Sequence, residues 1–206
     1  MNSLQQQVEK GITILKKGGI IAFPTDTVYG LGCDPFCLSA VEQVYRVKGR
    51  PRHLSFPLLL SDMSQVTVVA KPLSGIAFSL ARRFWPGALT LVLAKSDSLP
   101  AYLSSAGTVA VRIPNHPVCL ALIQGIGSPL VGTSANVSGS YSPSTADEVR
   151  QQLGDEIDLI IDGGTCPGGQ ESTIVDVTSI VPRILRQGII PRDEIERLLN
   201  PQCVSP

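Results

Sequence analysis

Short apolar runs alternate with stretches of helical periodicity along almost the whole chain, and this restricts the fold more than any other feature. Residues 20–23, 57–60, 89–93, 108–113, 130–134, 157–161, 173–177 and 182–185 read as short strands. Between them, residues 4–17 carry Leu4, Val8, Ile12 and Leu15 at helical spacing and stop at Gly18-Gly19. Ser39-Ala40-Val41-Glu42 has the form of a capping box, so a helix is expected from Ser39, with Val41, Val44 and Tyr45 as its apolar stripe. Gly49 and Pro51 stop it. Further helices are expected over 74–85, over 117–124 with Pro117 in its first turn, from a Ser144 cap to about 153, and over 192–199. Such alternation implies an α/β layer fold. The connections are unequal in length, which predicts a twisted mixed β-sheet with flanking helices and not a regular doubly wound one. No repeat, low-complexity tract or long linker divides the chain, so residues 1–206 are expected to form one domain with its core over about 8–190.

Composition removes several classes of function. Formal net charge is zero, with 17 basic and 17 acidic residues, which argues against a protein whose main partner is a nucleic-acid backbone. No apolar run approaches the roughly 20 residues that span a bilayer. The N-terminal stretch does not read as a signal peptide, and a cytoplasmic location is expected. Five cysteines are an odd number and read as reduced thiols, with Cys119 in the core. Cys33 and Cys37 have no second Cys or His pair at zinc-site spacing, and His53 and His116 are the only histidines, so no metal site is expected. There is no G-x-S-x-G for a serine nucleophile. The glycine-rich run 163–169 lacks the Lys-Ser/Thr ending of a phosphate loop and reads as a mobile loop.

The informative polar residues stand at strand and helix ends. Thr25, Asp26, Thr27 and Tyr29 crowd the carboxyl end of the 20–23 strand, where ligands sit in open α/β sheets, and Gly30 and Gly32 let the backbone turn or a ligand approach. Lys48 continues the apolar stripe of its helix to the C-terminal turn, where the dipole favours a cation, and Arg50 and Arg52 follow in an extended segment. Either this is a solvated basic helix end or it faces an anion. Arg112 interrupts an apolar strand on the same face as Ala110; it must pair with Asp26, Asp34 or another carboxylate, or bind an anion. Ser134, Asn136 and Ser138 follow a strand, as ordinary turn residues or as part of a site. Cations, hydroxyls and amides without a covalent nucleophile suit phosphate-bearing ligands, where positioning and charge stabilisation do most of the catalysis.

Eight motifs then occur in order: P-T-D-T-V-Y-G-L-G (24–32), K-G-R-P (48–51), P-L-L-L (57–60), W-P-G-A-L-T (85–90), T-V-A-V-R-I-P-N-H-P (108–117), T-S-A-N-V-S-G (133–139), E-S-T-I-V-D (171–176) and L-R-Q-G (185–188). Together they resemble the YrdC/TsaC family of threonylcarbamoyl-AMP synthases, in its short, single-domain type. The resemblance implies a YrdC-like fold with a concave basic cavity. It implies a nucleotidyltransferase that makes L-threonylcarbamoyl-AMP and pyrophosphate from L-threonine, bicarbonate and ATP, for tRNA-modification proteins that build N6-threonylcarbamoyladenosine (t6A). It also implies threonine contacts at Thr27, Ser61, Arg112, Gly132 and Ser172. Lys48 and Arg50 become the catalytic basic pair at the triphosphate, with Thr108, Ser134, Asn136, Ser142 and Arg186 on the nucleotide side. Mg2+ would be carried by ATP, without a dedicated protein ligand. The sequence departs from the family in three places: five residues separate K-G-R-P from P-L, Ser61 stands where some members have histidine, and Ala88 replaces a usual proline. Two alternatives share the pattern: an RNA-binding module of the same fold, with weak RNA binding on a basic face, and a related nucleotidyl or carbamoyl transferase with a different acceptor.

Overall fold

The structure is a computed structural model that describes residues 3–104 and 106–199. Its main elements are α1 (Leu4–Lys16), β1 (Ile21–Phe23), β2 (Gly30–Gly32), α2 (Leu38–Lys48), β3 (Leu58–Leu59), α3 (Val66–Val69), α4 (Gly75–Phe84), β4 (Leu89–Ala94), β5 (Thr108–Arg112), α5 (Pro117–Ile126), β6 (Leu130–Val131), β7 (Thr133–Ser134), α6 (Ala146–Leu153), β8 (Leu159–Ile160), β9 (Thr173–Asp176), β10 (Arg183–Arg186) and α7 (Arg192–Leu199). The alternating α/β order expected from the sequence is present. The strands form two mixed sheets instead of one, in the orders β7-β2-β1-β8 and β10-β9-β4-β5-β3-β6.

Apolar runs without polar alternation belong to strands covered on both sides. In β1, Ile21 and Phe23 pack with Leu15, Leu122 and Ile123 of α1 and α5. Ile20 and Ala22 point into the larger core, with Leu89, Leu91 and Val111 of the six-stranded sheet. The period of two thus distributes one run between two cores.

The crossing between the sheets was hidden in the sequence. The expected 130–134 strand is cut at Gly132: β6 pairs antiparallel with β3, whereas β7 pairs antiparallel with β2. Residues 30–32, expected as a turn or ligand approach, are a return strand antiparallel to β1. Gly32 lies where the two sheets meet. A Cβ there would stand 2.1 Å from the Val131 carbonyl oxygen, and the Val131 N–H donates to the Cys33 carbonyl at 2.9 Å, so the chain cannot easily withdraw. Gly32→Ala is therefore expected to lower the unfolding free energy by at least the roughly 1–3 kcal/mol typical of overpacking. Denaturant unfolding tests this, and a wild-type midpoint would show that the crossing is looser than its geometry.

Two helix starts differ from expectation. Helix α2 begins at Leu38 with Cys37 as N-cap and no side-chain cap bond. Asp34 accepts from the Phe36 N–H at 2.9 Å and sets the entry, while Ser39 Oγ lies 3.3 Å from Cys37 Sγ, so the Ser39 capping box does not form. For α6, Thr145 replaces Ser144 as the cap and forms a capping box with Glu148. The segment Met63–Val69, helical behind an Asp62 cap, was not anticipated. Its β-branched run has no amphipathic period long enough to read.

Cys33, Cys37, Cys119 and Cys166 are free thiols, with Cys119 in the core as expected; Cys203 lies outside the described residues. Among the described residues no helix is long and apolar enough to cross a membrane.

Candidate active site

The turn after β1 is built by threonines. Thr25 Oγ1 accepts from the Thr27 N–H at 3.1 Å, lies 2.9 Å from Thr27 Oγ1 and donates to the Val28 carbonyl at 2.7 Å. Tyr29 is fully buried. Its hydroxyl donates to the Gly164 carbonyl at 2.9 Å and accepts from the Gly163 N–H at 3.2 Å, and burial pushes its pKa up to about 12. The glycine-rich run is thus pinned to the 24–32 motif instead of hanging free, and a Cβ on Gly168 would meet the Asp26 carbonyl oxygen at 2.7 Å.

Arg112 reaches this turn from the end of β5. Its Nε donates to the Gly87 carbonyl at 2.9 Å, Nη1 to Thr27 Oγ1 at 2.9 Å, and Nη2 to Asp26 Oδ1 at 2.6 Å. The residue is 6% exposed, so it needs such partners. A guanidinium carries five N–H donors; these bonds use three and leave one on each terminal nitrogen. Both sequence readings hold together: Arg112 has an internal carboxylate in Asp26, and it still lines a cavity.

That cavity has a volume of about 290 Å³ and opens between the two sheets. Thr27, Arg50, Arg112, Gly132, Ser134, Ser172 and Arg186, drawn from widely separated motifs, all line it. Arg50 Nε donates to the Leu54 carbonyl at 2.8 Å and Nη2 to the Ser55 carbonyl at 3.2 Å, with its carbon 5.4 Å from the centre of the Phe56 ring. The five-residue spacing after K-G-R-P is therefore wrapped around Arg50 itself. Burial lowers the Arg50 pKa. Arg186 pairs with Glu171, and its Nε and Nη2 donate to the Ser172 carbonyl at 3.2 and 3.0 Å. Ser172 Oγ and Thr90 Oγ1 are 2.8 Å apart.

Other candidates stand behind the wall or away from it. Lys48 is 2% exposed, a core residue and not an accessible helix-end cation. Its Nζ donates to the Ser134 carbonyl at 2.6 Å, the Asn136 carbonyl at 2.7 Å and Asn136 Oδ1 at 3.4 Å. Burial, with the Arg50 charge second, lowers its pKa to about 8. Asn136 Nδ2 donates to the Val137 and Ser140 carbonyls, so Lys48 and Asn136 together brace the turn after β7. Ser142 Oγ donates to Glu171 Oε1 at 2.7 Å. Thr108 shares a strand face with Ala110 and Arg112, both on the cavity. Ser61 is not gathered in: its Oγ donates to Asp62 Oδ2 at 2.9 Å, on a separate cavity of about 360 Å³ beside Met63, Phe78 and Trp85. Arg52 pairs with Glu42 on the surface.

Glu171 and Thr90 are lining residues that the residue patterns did not flag, although both lie inside quoted motifs. Thr90 carried a readable signal, a hydroxyl inside an apolar strand, as Arg112 did. Three arginines face one carboxylate on the wall. Glu171 already accepts two hydrogen bonds, so the wall offers no cage of acidic ligands. This donor set fits a Mg2+ held by the phosphates of a bound nucleotide.

The Sua5/YciO/YrdC family model, described as "Telomere recombination", matches residues 13–188. The threonylcarbamoyl-AMP synthase of Bacillus subtilis is 40% identical over 197 residues, covering 95% of this chain and 57% of that protein. The crystal structure of Pyrococcus abyssi Sua5 complexed with L-threonine superposes with a TM-score of 0.91 at 38% identity, covering 97% of this chain and 58% of that one. Escherichia coli YciO superposes with a TM-score of 0.84 at 30% identity over 92% of this chain and 93% of its own. The chain thus spans little more than half the length of the first two and nearly all of the third.

Proposed function

The chain belongs to the Sua5/YciO/YrdC family, and from that premise we propose that it is an L-threonylcarbamoyladenylate synthase acting in the cytoplasm. The observation that carries this reading is one cavity lined both by Thr27 and Arg112, which are hydrogen-bonded to each other, and by Arg50 and Arg186. The first pair offers a fork of N–H donors beside a hydroxyl, which suits an amino-acid carboxylate. The second offers two guanidinium groups, which suit phosphates.

In this reading the threonine carboxylate takes the two remaining Arg112 donors, with Thr27 beside it, and Gly132 and Ser172 line the amino-acid pocket. The threonine amine combines with bicarbonate, losing water, to give a carbamate. A carbamate oxygen then attacks the α-phosphorus of ATP, and pyrophosphate leaves. Arg50 and Arg186 stabilise charge on the phosphates as it shifts. Lys48 and Asn136 act one layer back by fixing the backbone of the turn that presents Ser134. A Mg2+ carried by ATP would supply further neutralisation of the triphosphate. The product would pass to the tRNA-modification proteins that make t6A. Holding two substrates in one orientation supplies much of the acceleration, and no protein nucleophile is required.

The test is pyrophosphate release from ATP, with each amino acid in turn and with or without bicarbonate. Release that requires both L-threonine and bicarbonate is expected. A different acceptor in the same cavity is the second reading, favoured by the placement of Ser61 on another cavity. Equal release with serine, or release that ignores bicarbonate, would select that second reading.

A further inference from the structure

Among the described residues, Glu171 is the one acidic side chain lining the candidate active-site cavity, beside three arginines and several hydroxyls. Its main chain is fixed. The Glu171 carbonyl accepts from the Ile189 N–H at 3.1 Å, and a Cβ on Gly188 would fall 2.1 Å from that oxygen, so the segment before β9 and the segment after β10 are already in close contact. The side chain is freer, at 32% exposure. Its Oε1 accepts from Ser142 Oγ at 2.7 Å and Oε2 accepts from Arg186 Nη1. Its charge also reaches Lys48 and Arg50, whose protonated forms it favours. The carboxylate therefore occupies Arg186, which the nucleotide reading assigns to the phosphates, and Ser142, which the family resemblance places on the nucleotide side. A phosphate oxygen and a carboxylate oxygen ask for the same N–H and O–H groups, and they repel each other if brought together.

We propose that Glu171 is an internal counter-anion: it holds Ser142 and Arg186 in the free protein and is displaced by the phosphates of the nucleotide. The inference rests on the nucleotide reading above. It has a consequence for selectivity. Only a ligand whose phosphates reach Arg186 and Ser142 has to displace the carboxylate, so ATP and pyrophosphate meet this competition in full and a nucleoside monophosphate meets less of it. It also has a consequence for turnover. Once pyrophosphate has left, the remaining adenylate carries less charge, Glu171 returns to Arg186, and product release is assisted.

The experiment is calorimetric titration of the full chain with ATP, AMP and inorganic pyrophosphate, for the wild type, Glu171→Gln and Glu171→Ala. Removing the charge is expected to tighten ATP and pyrophosphate by about three- to tenfold, the scale of a half-exposed ion pair plus the relieved repulsion. AMP should change less, so the ATP-to-AMP preference should grow by up to the same factor. The alanine variant should show the same direction without the amide contact to Ser142, which separates charge from shape. Unchanged affinities in both variants overturn the proposal. Weaker binding also overturns it, because Glu171 would then be supporting the nucleotide site. A wild type that binds neither ATP nor pyrophosphate would defeat the nucleotide reading itself, and this inference with it.

Discussion

Arg112→Lys should raise the threonine concentration for half-maximal pyrophosphate release by about ten- to a hundredfold, the scale of a lost charge-assisted hydrogen bond. The ATP requirement should change far less. Lysine keeps the charge but loses the planar fork, and a single ammonium cannot serve the Gly87 carbonyl, Thr27 Oγ1 and Asp26 Oδ1 while also offering two donors to a ligand. The variant should also melt earlier, because the Asp26 partner lies in a mostly buried pair and loses its best geometry. Thermal stability alone therefore cannot separate an anchor from a structural ion pair; the two substrate constants can. If the threonine constant stays at its wild-type value while the melting temperature falls, Arg112 serves Asp26 alone and the carboxylate end of the cavity has been misassigned.

The sequence made some of this legible and concealed the rest, for definable reasons. Arg112 was visible because a charged residue inside T-V-A-V-R-I has no solvent to face, so a partner is forced by desolvation. Which partner was not visible, since Asp26 lies 86 residues away. Strand existence was readable from apolar runs, but the division of 130–134 between two sheets was not, because a glycine in a strand pattern marks a close approach without naming what approaches. Here it is Leu59, whose Cγ would stand 2.3 Å from a Cβ on Gly132. Ser61 shows the limit of carrying a role by position. It follows the two-residue strand β3, and its Oγ is taken by the neighbouring Asp62 on a different cavity. Glu171 gave no signal at all as a lone carboxylate before a strand, and only the convergence of Ser142 and Arg186 on it makes it noticeable.

Lys48 was placed correctly on the inward stripe of α2, yet its inward direction was read as facing an anion. The structure turns it onto backbone carbonyls of Ser134 and Asn136 instead. Lys48→Met is therefore expected to destabilise the fold by about 2–4 kcal/mol, since two buried acceptors lose their donor while only the desolvated charge is relieved. Turnover should fall with it, because the turn that presents Ser134 loses its brace. The wild-type pH dependence carries a second signature. The folded-state pKa is lowered to about 8, below the roughly 10.4 of an unfolded lysine, so between these values the unfolded chain binds more protons. Titration of Lys48 therefore adds stability as pH rises across that window, by roughly 3 kcal/mol in full, on top of the pH-independent contribution of its hydrogen bonds. Denaturant unfolding of wild type and Lys48→Met from pH 7 to 10.5 isolates this slope, because other titrating groups cancel in the difference. A difference that stays flat with pH would mean that Lys48 keeps its proton as readily inside as in water, and an accessible phosphate-binding lysine would be the better description.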